Sequence, residues 1–401
     1  MSIVRLAWAY LAARPLAAAL HVAMLALGVG TMVLLVLFTA QTEERLARDA
    51  RPVDLVVGAK GSPLQVILSS VLHVDVPTGN IPYDEARKVA ANPMVASATP
   101  VSLGDSYRGF RIVGTDASFL ALYSARIAAG RDFARPMEAV LGAEVARRTA
   151  LAPGAQFAGS HGLASSGGNA HAGHPYSVVG VLAPTGTVID RLVVTSIESV
   201  WEVHEEHHAG DDEHAAKGGP ERREITALLV RYRTPLAAAL MPRQINATTM
   251  MQAASPAYES ARLMNLVGVG VDALRFFAIA MMATAALSMF VALMSALEER
   301  RYDLALLRTL GAHPATLFAL LAAEGVTLVV AGVILGLALG HVAAEALGRW
   351  IARTNPWSIT GLGWERSEAW IVLAVLAAGA ATCLLPAIRA YRRDPAILLK
   401  R

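Results

Sequence analysis

Seven of the eleven histidines lie in two polar stretches, where their chemistry points to metal ions. Residues 160–174 are rich in glycine, serine and alanine, and residues 201–217 combine histidine with many carboxylates. Neutral imidazoles and carboxylates are suitable ligands for zinc, nickel and copper. The candidate ligands are His161, His171, His174, His204, His207, His208 and His214.

Two interpretations of these histidines stay open. His204 and His208 are four residues apart, so on a helix both imidazoles would lie on one face, as a metal site requires. The alternative is two solvated polar loops whose histidines bind nothing. Because the flanking glycines provide no preorganisation, the metal hypothesis predicts a transient, weak site rather than a rigid structural one.

The remaining sequence gives no basis for catalysis in this chain. There are only four lysines and no G-x-x-x-x-G-K-[ST] pattern, so any hydrolysis of ATP with magnesium must come from another subunit. No nucleophile–base pair occurs, and the single cysteine excludes an internal disulfide and a cysteine metal cluster. We therefore expect no catalytic residue and no cofactor other than a transition metal. The net charge of +3 gives no case for nucleic-acid binding.

Four apolar segments are long enough to cross a bilayer, which takes about 20 residues. The composition, 55% hydrophobic and 17% charged, predicts a few spanning helices and one sizeable water-soluble domain. The first segment exceeds the apolar core of a signal peptide, so we expect it to be retained. The predicted spans are residues 15–40, 273–297, 317–341 and 369–388.

Basic residues predict the orientation of these spans. They lie before the first span, between the second and third, and after the fourth, and the positive-inside rule places all three sets in the cytoplasm. Both termini are therefore predicted inside, in segments 1–14 and 389–401, and residues 342–368 form an outer loop. For residues 1–14, a helix on the inner membrane face and an extension of the first span both stay open.

The large segment between the first two spans, residues 41–272, is predicted outside the cytoplasm. It alternates short strand-like and helix-like runs with glycine turns, which indicates an α+β domain. The predicted fold class is a membrane α protein with four transmembrane helices and a large extracytoplasmic α+β domain between helices 1 and 2.

The cytoplasmic segment 298–316 begins with a charged, amphipathic helix. Leu304, Leu307 and Leu310 recur at every third residue, so the helix has one apolar stripe and one solvent-exposed polar face. Gly311 ends this helix, and Pro314 suits the first turn of the next one.

The third span carries Gly332, Gly336 and Gly340 at every fourth residue, a spacing that lets another transmembrane helix approach closely. It also contains Glu324, the one carboxylate at membrane depth, where ionisable groups are costly. For Glu324 we favour a structural or coupling role over a proton or substrate contact.

Residues 300–325, RRYDLALLRTLGAHPATLFALLAAEG, resemble the signature of MacB/FtsX-type ABC transporter permeases, which include the lipoprotein-release permeases. The tail LLPAIRAYRRDPAILLKR is similar to the closing segment of that family. In the outer domain, VLGAEVA and YSVVGVL resemble elements of MacB-type extracytoplasmic domains.

The resemblance implies an ABC permease in the bacterial inner membrane, working as a homodimer with two copies of a separate ATPase. The glycine face of the third span and the first two spans are the expected dimer interfaces. In this family the short charged helix docks on the ATPase and carries its motion outward. The residues that take this role here are Arg300, Arg301, Asp303, Leu304, Leu307, Arg308 and Gly311.

Several hypotheses about the cargo stay open. We favour metal-linked transport, chiefly of zinc, because the histidine-rich stretches depart from the family pattern. The alternatives are extraction or export of lipoproteins or hydrophobic compounds, FtsX-like control of a cell-wall hydrolase, and a membrane sensor without an ATPase. The expected partners are the ATPase, a second copy of this chain, membrane lipid, and a periplasmic carrier or adaptor protein.

Overall fold

The computed structural model divides the chain into two units. The transmembrane unit comprises Met1–Thr42 and Leu266–Arg401, and the α+β unit comprises Glu43–Asn265. The structure describes residues 3–161, 174–203, 223–299, 313–354 and 359–392.

Four of the helices are long and apolar enough to cross a membrane, as predicted. They are α2, α8, α9 and α10, and α2 and α8 each contain residues of both units. The helices are α1 (Ile3–Ala12), α2 (Pro15–Ala50), α3 (Pro63–Ser70), α4 (Tyr83–Ala90), α5 (Ser118–Leu122), α6 (Ala143–Thr149), α7 (Pro235–Thr248), α8 (Pro256–Glu299), α9 (Pro314–Thr354) and α10 (Arg366–Arg392).

Prolines set two of the helix starts. Pro15 begins α2, and the residue before a proline avoids the helical conformation, so α1 is a separate helix rather than an extension of α2. Pro314 begins α9. At its other end α9 runs on to Thr354, so the predicted outer loop 342–368 starts as helix. Its sequence VAAEALGRW consists largely of good helix formers, which explains the longer helix.

The strands of the α+β unit form one mixed sheet of eleven described strands and a separate pair, β2 with β11. The main path is β13-β1-β12-β3-β4-β10-β6-β9-β5, with β7 on β9 and β8 on β3. The strands are β1 (Leu55–Ala59), β2 (Ile81–Pro82), β3 (Val95–Tyr107), β4 (Phe110–Thr115), β5 (Ile127–Gly130), β6 (Glu138–Leu141), β7 (Gln156–Phe157), β8 (Ser160–His161), β9 (Tyr176–Leu182), β10 (Val193–Ser196), β11 (Glu224–Ile225), β12 (Ala227–Tyr232) and β13 (Met251–Ala254).

Burial along the strands follows the sequence pattern. β9, YSVVGVL, alternates fully and half-buried residues, as a strand with one covered face does. β4 is buried at every position, which suits its central place in the sheet. Among the described residues, one apolar cluster lies around β1, β12 and α7 and another around β6, β9 and α6. The sheet therefore holds together one continuous α+β unit.

His73 is a buried polar residue that the apolar packing does not explain. It has a left-handed backbone with φ of 55°, and neither ring nitrogen has a hydrogen-bond partner within the described part of the chain. Burial, reinforced by the nearby charges of Arg111 and Arg191, holds the pKa of His73 well below its usual value of 6.5. The imidazole is therefore neutral in the folded protein at neutral pH.

This neutral histidine predicts a loss of stability in mild acid. Below about pH 6.5 the unfolded chain binds a proton at residue 73 and the folded chain does not, so the free energy of unfolding falls by up to about 1.4 kcal/mol per pH unit. His73→Asn, which tolerates the left-handed backbone, should flatten this dependence, as measured by thermal unfolding from about pH 7.5 to about pH 5.5. The exposed control His313→Asn should leave the slope unchanged; an unchanged slope in both variants contradicts the account.

Candidate functional site

The glycine stripe of α9 packs against α2. A Cβ atom built on Gly336 would lie 2.6 Å from the Cβ of Val29 and 3.0 Å from the carbonyl oxygen of Ala26. One built on Gly340 would lie 2.7 Å from the Cβ of Val33. Gly332 meets Leu25 in the same way, at 2.7 Å. Only glycine permits this approach, so the stripe, here called the glycine seam, joins the two helices.

The seam corrects the expectation that the glycine face is a dimer interface. It is occupied by α2 of the same chain, and Val29 and Val33 beneath it are fully buried. The spacing of small residues predicts a close helix contact but does not say which helix makes it.

Two buried polar side chains lie in the membrane-spanning helices α2 and α9. His21 on α2 is buried; its Nδ1 lies 2.5 Å from the carbonyl oxygen of Ala17, and its Nε2 lies 3.1 Å from the hydroxyl of Ser288 on α8. The histidine therefore links α2 to α8, as a buried polar group at membrane depth must find a partner. Glu324 on α9 is 3% exposed and lines a cavity of about 70 Å³ with Tyr10, Arg14 and His21.

His341, which the sequence analysis did not single out, joins the second half of α9 to the first turn of α10. His341 Nδ1 lies 2.6 Å from the carbonyl oxygen of Gly361, and its Nε2 lies 2.9 Å from Oε2 of Glu368. Its ring stacks on Trp364 with centroids 5.9 Å apart. Glu368 is fully buried, so this contact fixes the start of α10 against α9.

The segment before α10 is also hydrogen-bonded to α2. The Gln41 side-chain amide donates to the carbonyl oxygen of Thr360 at 2.7 Å and its oxygen accepts from the Thr360 N–H at 2.9 Å. Glu345 of α9 accepts hydrogen bonds from the Thr360 hydroxyl and from the Gly361 N–H. The segment before α10 is thus held to both α2 and α9.

In the α+β unit, the last turns of α2 are anchored to the segment 186–191. Asp49 accepts a hydrogen bond from the Val188 N–H at 2.8 Å and lies 3.8 Å from the guanidinium of Arg191. Arg48 donates to the carbonyl oxygen of Gly186 at 3.3 Å. Burial lowers the pKa of Arg191, and the charge of Asp49 opposes that effect. We call these contacts the α2 anchor.

The histidine-rich stretches lie mostly outside the described residues. His161 ends β8 and His174 precedes β9, whereas His171, His204, His207, His208 and His214 fall outside the description. Among the described residues no group of three or more histidine, cysteine, aspartate or glutamate side chains is arranged to hold a metal. The metal hypothesis thus stays a prediction.

The flanks of the second stretch are close together. Trp201 Nε1 donates to the carbonyl oxygen of Glu224 at 2.7 Å, and the guanidinium of Arg223 lies 4.9 Å from the centre of the Trp201 ring. Tyr83 meets the same ring edge-on at 5.5 Å. Trp201, Arg223 and Glu224 are therefore neighbours within the α+β unit.

The residues predicted to contact an ATPase also lie outside the described residues. Arg300, Arg301, Asp303, Leu304, Leu307, Arg308 and Gly311 all fall between the end of α8 at Glu299 and the start of α9. Their role stays a prediction.

Four spanning helices with an α+β domain inserted between the first and second define a multi-pass membrane protein, and comparison with known families identifies which kind. The profile of the MacB-like periplasmic core domain matches residues 18–258. That of the FtsX-like permease C-terminal domain matches residues 275–395. The chain belongs to the family of MacB/FtsX-type permeases, which work with an ABC ATPase partner.

The solved structures similar to this chain include two extracytoplasmic domains. The periplasmic region of MacB from Actinobacillus actinomycetemcomitans has 11% sequence identity and a TM-score of 0.35, covering 55% of this chain and 98% of that one. The extracellular domain of the noncanonic ABC-type transporter YknZ from Gram-positive bacteria has 10% identity and a TM-score of 0.30, covering 50% and 98%. A search of curated proteins gave no match.

The glycine seam predicts that Gly336→Ala destabilises the transmembrane unit. The added methyl group must displace Val29 or the Ala26 carbonyl, and overpacking of this kind costs about 1–3 kcal/mol. Thermal unfolding of the purified chain in detergent should show a lower Tm, partly restored by Val29→Ala. The control Gly268→Ala on α8 has nothing within 4 Å and should not lower the Tm. Equal effects at Gly336 and Gly268 would contradict the seam.

The α2 anchor predicts that Asp49→Ala destabilises the α+β unit by about 1–3 kcal/mol, because the buried Val188 N–H loses its acceptor. Asp49→Asn keeps an acceptor oxygen and should cost less. Chemical unfolding of the full chain measures both changes. The control Glu44→Ala removes an exposed pair with Arg48 on the same helix and should have an effect of less than about 0.5 kcal/mol. A larger effect at Glu44 than at Asp49 would refute the anchor.

Proposed function

We propose that this chain is the permease subunit of an ABC system in the bacterial inner membrane, with both termini in the cytoplasm. It works as a homodimer with two copies of an ATPase subunit that supplies ATP and magnesium chemistry. Nucleotide-driven motion of the ATPases is transmitted to the α+β unit, which acts on cargo outside the cytoplasm. No step of ATP hydrolysis occurs in this chain.

The observation that carries this proposal is that α2 and α8 each belong to both units. An unbroken helix has every interior backbone group hydrogen-bonded within itself, so it moves as a stiff rod over its length. A displacement of the transmembrane end of α2 therefore reaches the α2 anchor without passing through a flexible linker. This arrangement supports transmission of mechanical work rather than a loosely tethered sensor domain.

The segment that follows α8 is the proposed contact with the ATPase. Two arginines, Arg301 and Arg308, lie seven residues apart on the predicted amphipathic helix, and so share a face of it. We propose that this face docks on the ATPase. Leu304 and Leu307 would then pack on the membrane helices or on the ATPase surface. We expect Gly311 to end that predicted helix before α9 begins at Pro314.

Charge reversal at this face tests the proposal. We expect Arg301→Glu with Arg308→Glu to abolish co-purification of the full chain with its ABC ATPase, because two attractive contacts become repulsive. The control Arg366→Glu changes an exposed basic residue at the start of α10 and should leave association intact. Association that survives the double reversal favours the sensor hypothesis.

A second proposal concerns the cargo and rests on the histidine-rich stretches. The contacts of Trp201 with Glu224 and Arg223 fix the residues that flank the second stretch in sequence. The imidazoles and carboxylates of these stretches suit transient capture of zinc or another transition metal for handover to a periplasmic carrier. Extraction of lipoproteins or hydrophobic compounds, and FtsX-like control of a hydrolase, are the alternatives if no metal binds.

Metal binding is tested on the purified full chain by titration calorimetry with zinc, nickel and copper. We expect micromolar binding that disappears when the seven candidate histidines are replaced by glutamine while Trp201 is kept, because Trp201 belongs to the fold. The control His313→Gln should bind as the wild type does. Absence of binding in the wild type overturns the metal proposal and leaves ATPase coupling untouched.

A further inference from the structure

Residues 359–365, here called the strap, precede α10 and are hydrogen-bonded to three helices of the transmembrane unit. The uncharged Gln41 of α2 and Glu345 of α9 bind its backbone, and the last residue of the strap is bonded to the first turn of α10. The backbone also passes so close to α9 that a Cβ atom built on Gly361 would overlap the carbonyl oxygen of His341. The strap is therefore a fixed part of the unit.

The hydrogen bonds of His341 to the strap and to α10 require an additional proton. A backbone carbonyl oxygen can only accept, so the Nδ1 that lies 2.6 Å from the Gly361 oxygen carries a hydrogen. In a neutral imidazole the other nitrogen, Nε2, is then a bare acceptor. It nevertheless lies 2.9 Å from Oε2 of Glu368, and an ionised carboxylate also only accepts. A hydrogen bond between these two atoms therefore needs one proton more than a neutral histidine and an ionised glutamate hold.

The charged groups around His341 come from α9 and from the start of α10. Glu345 and Arg349 of α9 line the same recess as His341 and pair with each other at 2.9 Å. On α10 the fully buried Glu368 meets the ring, and its second oxygen accepts a hydrogen bond from the Glu365 N–H. Within the described part of the unit, the ring of His341 is thus the group placed to neutralise this buried carboxylate.

An aromatic contact favours the same protonated form. The ring of His341 stacks on Trp364, with centroids 5.9 Å apart and planes inclined by 13°. The face of an indole attracts a cation at this distance, so the stacking is stronger for an imidazolium than for a neutral imidazole. Arg366, the basic residue that begins α10, is exposed, and solvent screens its charge.

We propose that the proton shared by His341 and Glu368 is a latch that holds the strap. While it is bound, the ring bridges the Gly361 carbonyl and the buried carboxylate. Its release to water leaves two acceptors facing each other at 2.9 Å and a buried charge without its donor, an arrangement that costs several kcal/mol in general. The ring must then turn away, and its bond to Gly361 is lost.

The latch acts on α2 through the strap. Gln41 is the residue of α2 that binds the strap, and the transmembrane unit ends one residue later, at Thr42. Because a bound proton closes the latch, α2 is held firmly at low pH and more loosely as the pH rises. This property belongs to the chain by itself and does not depend on the ATPase or on metal binding.

A spin label on a Gly363→Cys chain tests the latch. Gly363 is exposed, and a Cβ atom built there has nothing within 4 Å, so the label does not disturb the strap. The full chain, with the buried Cys383 replaced by alanine, is purified in detergent and its electron paramagnetic resonance spectrum is recorded from about pH 6 to about pH 10. We expect an ordered label at the low end and a severalfold shorter rotational correlation time at the high end.

The decisive variant is Glu368→Gln, because an amide always carries the hydrogen that this contact needs. Its NH₂ group donates to Nε2 of a neutral His341, and its oxygen still accepts from the Glu365 N–H. The label in this variant should stay ordered over the whole pH range. His341→Gln removes the titrating ring and should also abolish the pH response, which provides a second test if Glu368→Gln does not fold. The control His313→Gln changes an exposed histidine and should respond as the parent chain does.

Three results would overturn the latch. The first is a label that stays ordered in the parent chain up to about pH 10, because the contact then needs no titrating proton. The second is release of the label on acidification instead. The third is an unchanged pH response in Glu368→Gln, which would assign the titration to another group. Release at high pH that both Glu368→Gln and His341→Gln abolish supports the proposal.

Discussion

The close approach of α9 to α2 holds the transmembrane unit together. Three glycines, Gly332, Gly336 and Gly340, remove the side chains that would otherwise keep the helices apart, and Val29 and Val33 fill the space. In lipid this packing replaces the hydrophobic effect as the source of helix association. The polar contacts that follow, from His21 to Ser288 and from Gln41 to Thr360, depend on α2 being fixed by this seam.

The last turns of α2 also belong to the α+β unit. The same helix ends in the α2 anchor, where Asp49 holds the Val188 N–H and faces Arg191. Hydrogen bonds to buried charged groups are among the stronger ones in proteins, and breaking them is costly. These contacts of α2, the seam in one unit and the buried carboxylate in the other, are the observations on which the proposed coupling rests.

Local sequence signals predicted the elements well and their partners poorly. The four spans and Pro314 as the start of α9 were predicted because hydrophobic period and proline act over a few residues, whereas YSVVGVL was identified through the family resemblance. The glycine stripe predicted a close contact but not that α2 makes it. Gln41 and Thr360 are 319 positions apart and Asp49 and Val188 are 139 apart, so no spacing rule connects them. The sequence did not single out His341 or predict the burial of His73, because the significance of a single histidine lies in its surroundings.

The central claim is that nucleotide-driven motion reaches the α+β unit through α2, and amide hydrogen exchange tests it most directly. The full chain would be reconstituted with its ABC ATPase, and exchange at residues 43–50 and 183–191 compared with ATP and with ADP. The account predicts that protection at these two segments changes with the nucleotide, and only when the ATPase is bound. Identical exchange in both nucleotide states, with the ATPase bound and turning over, would contradict it.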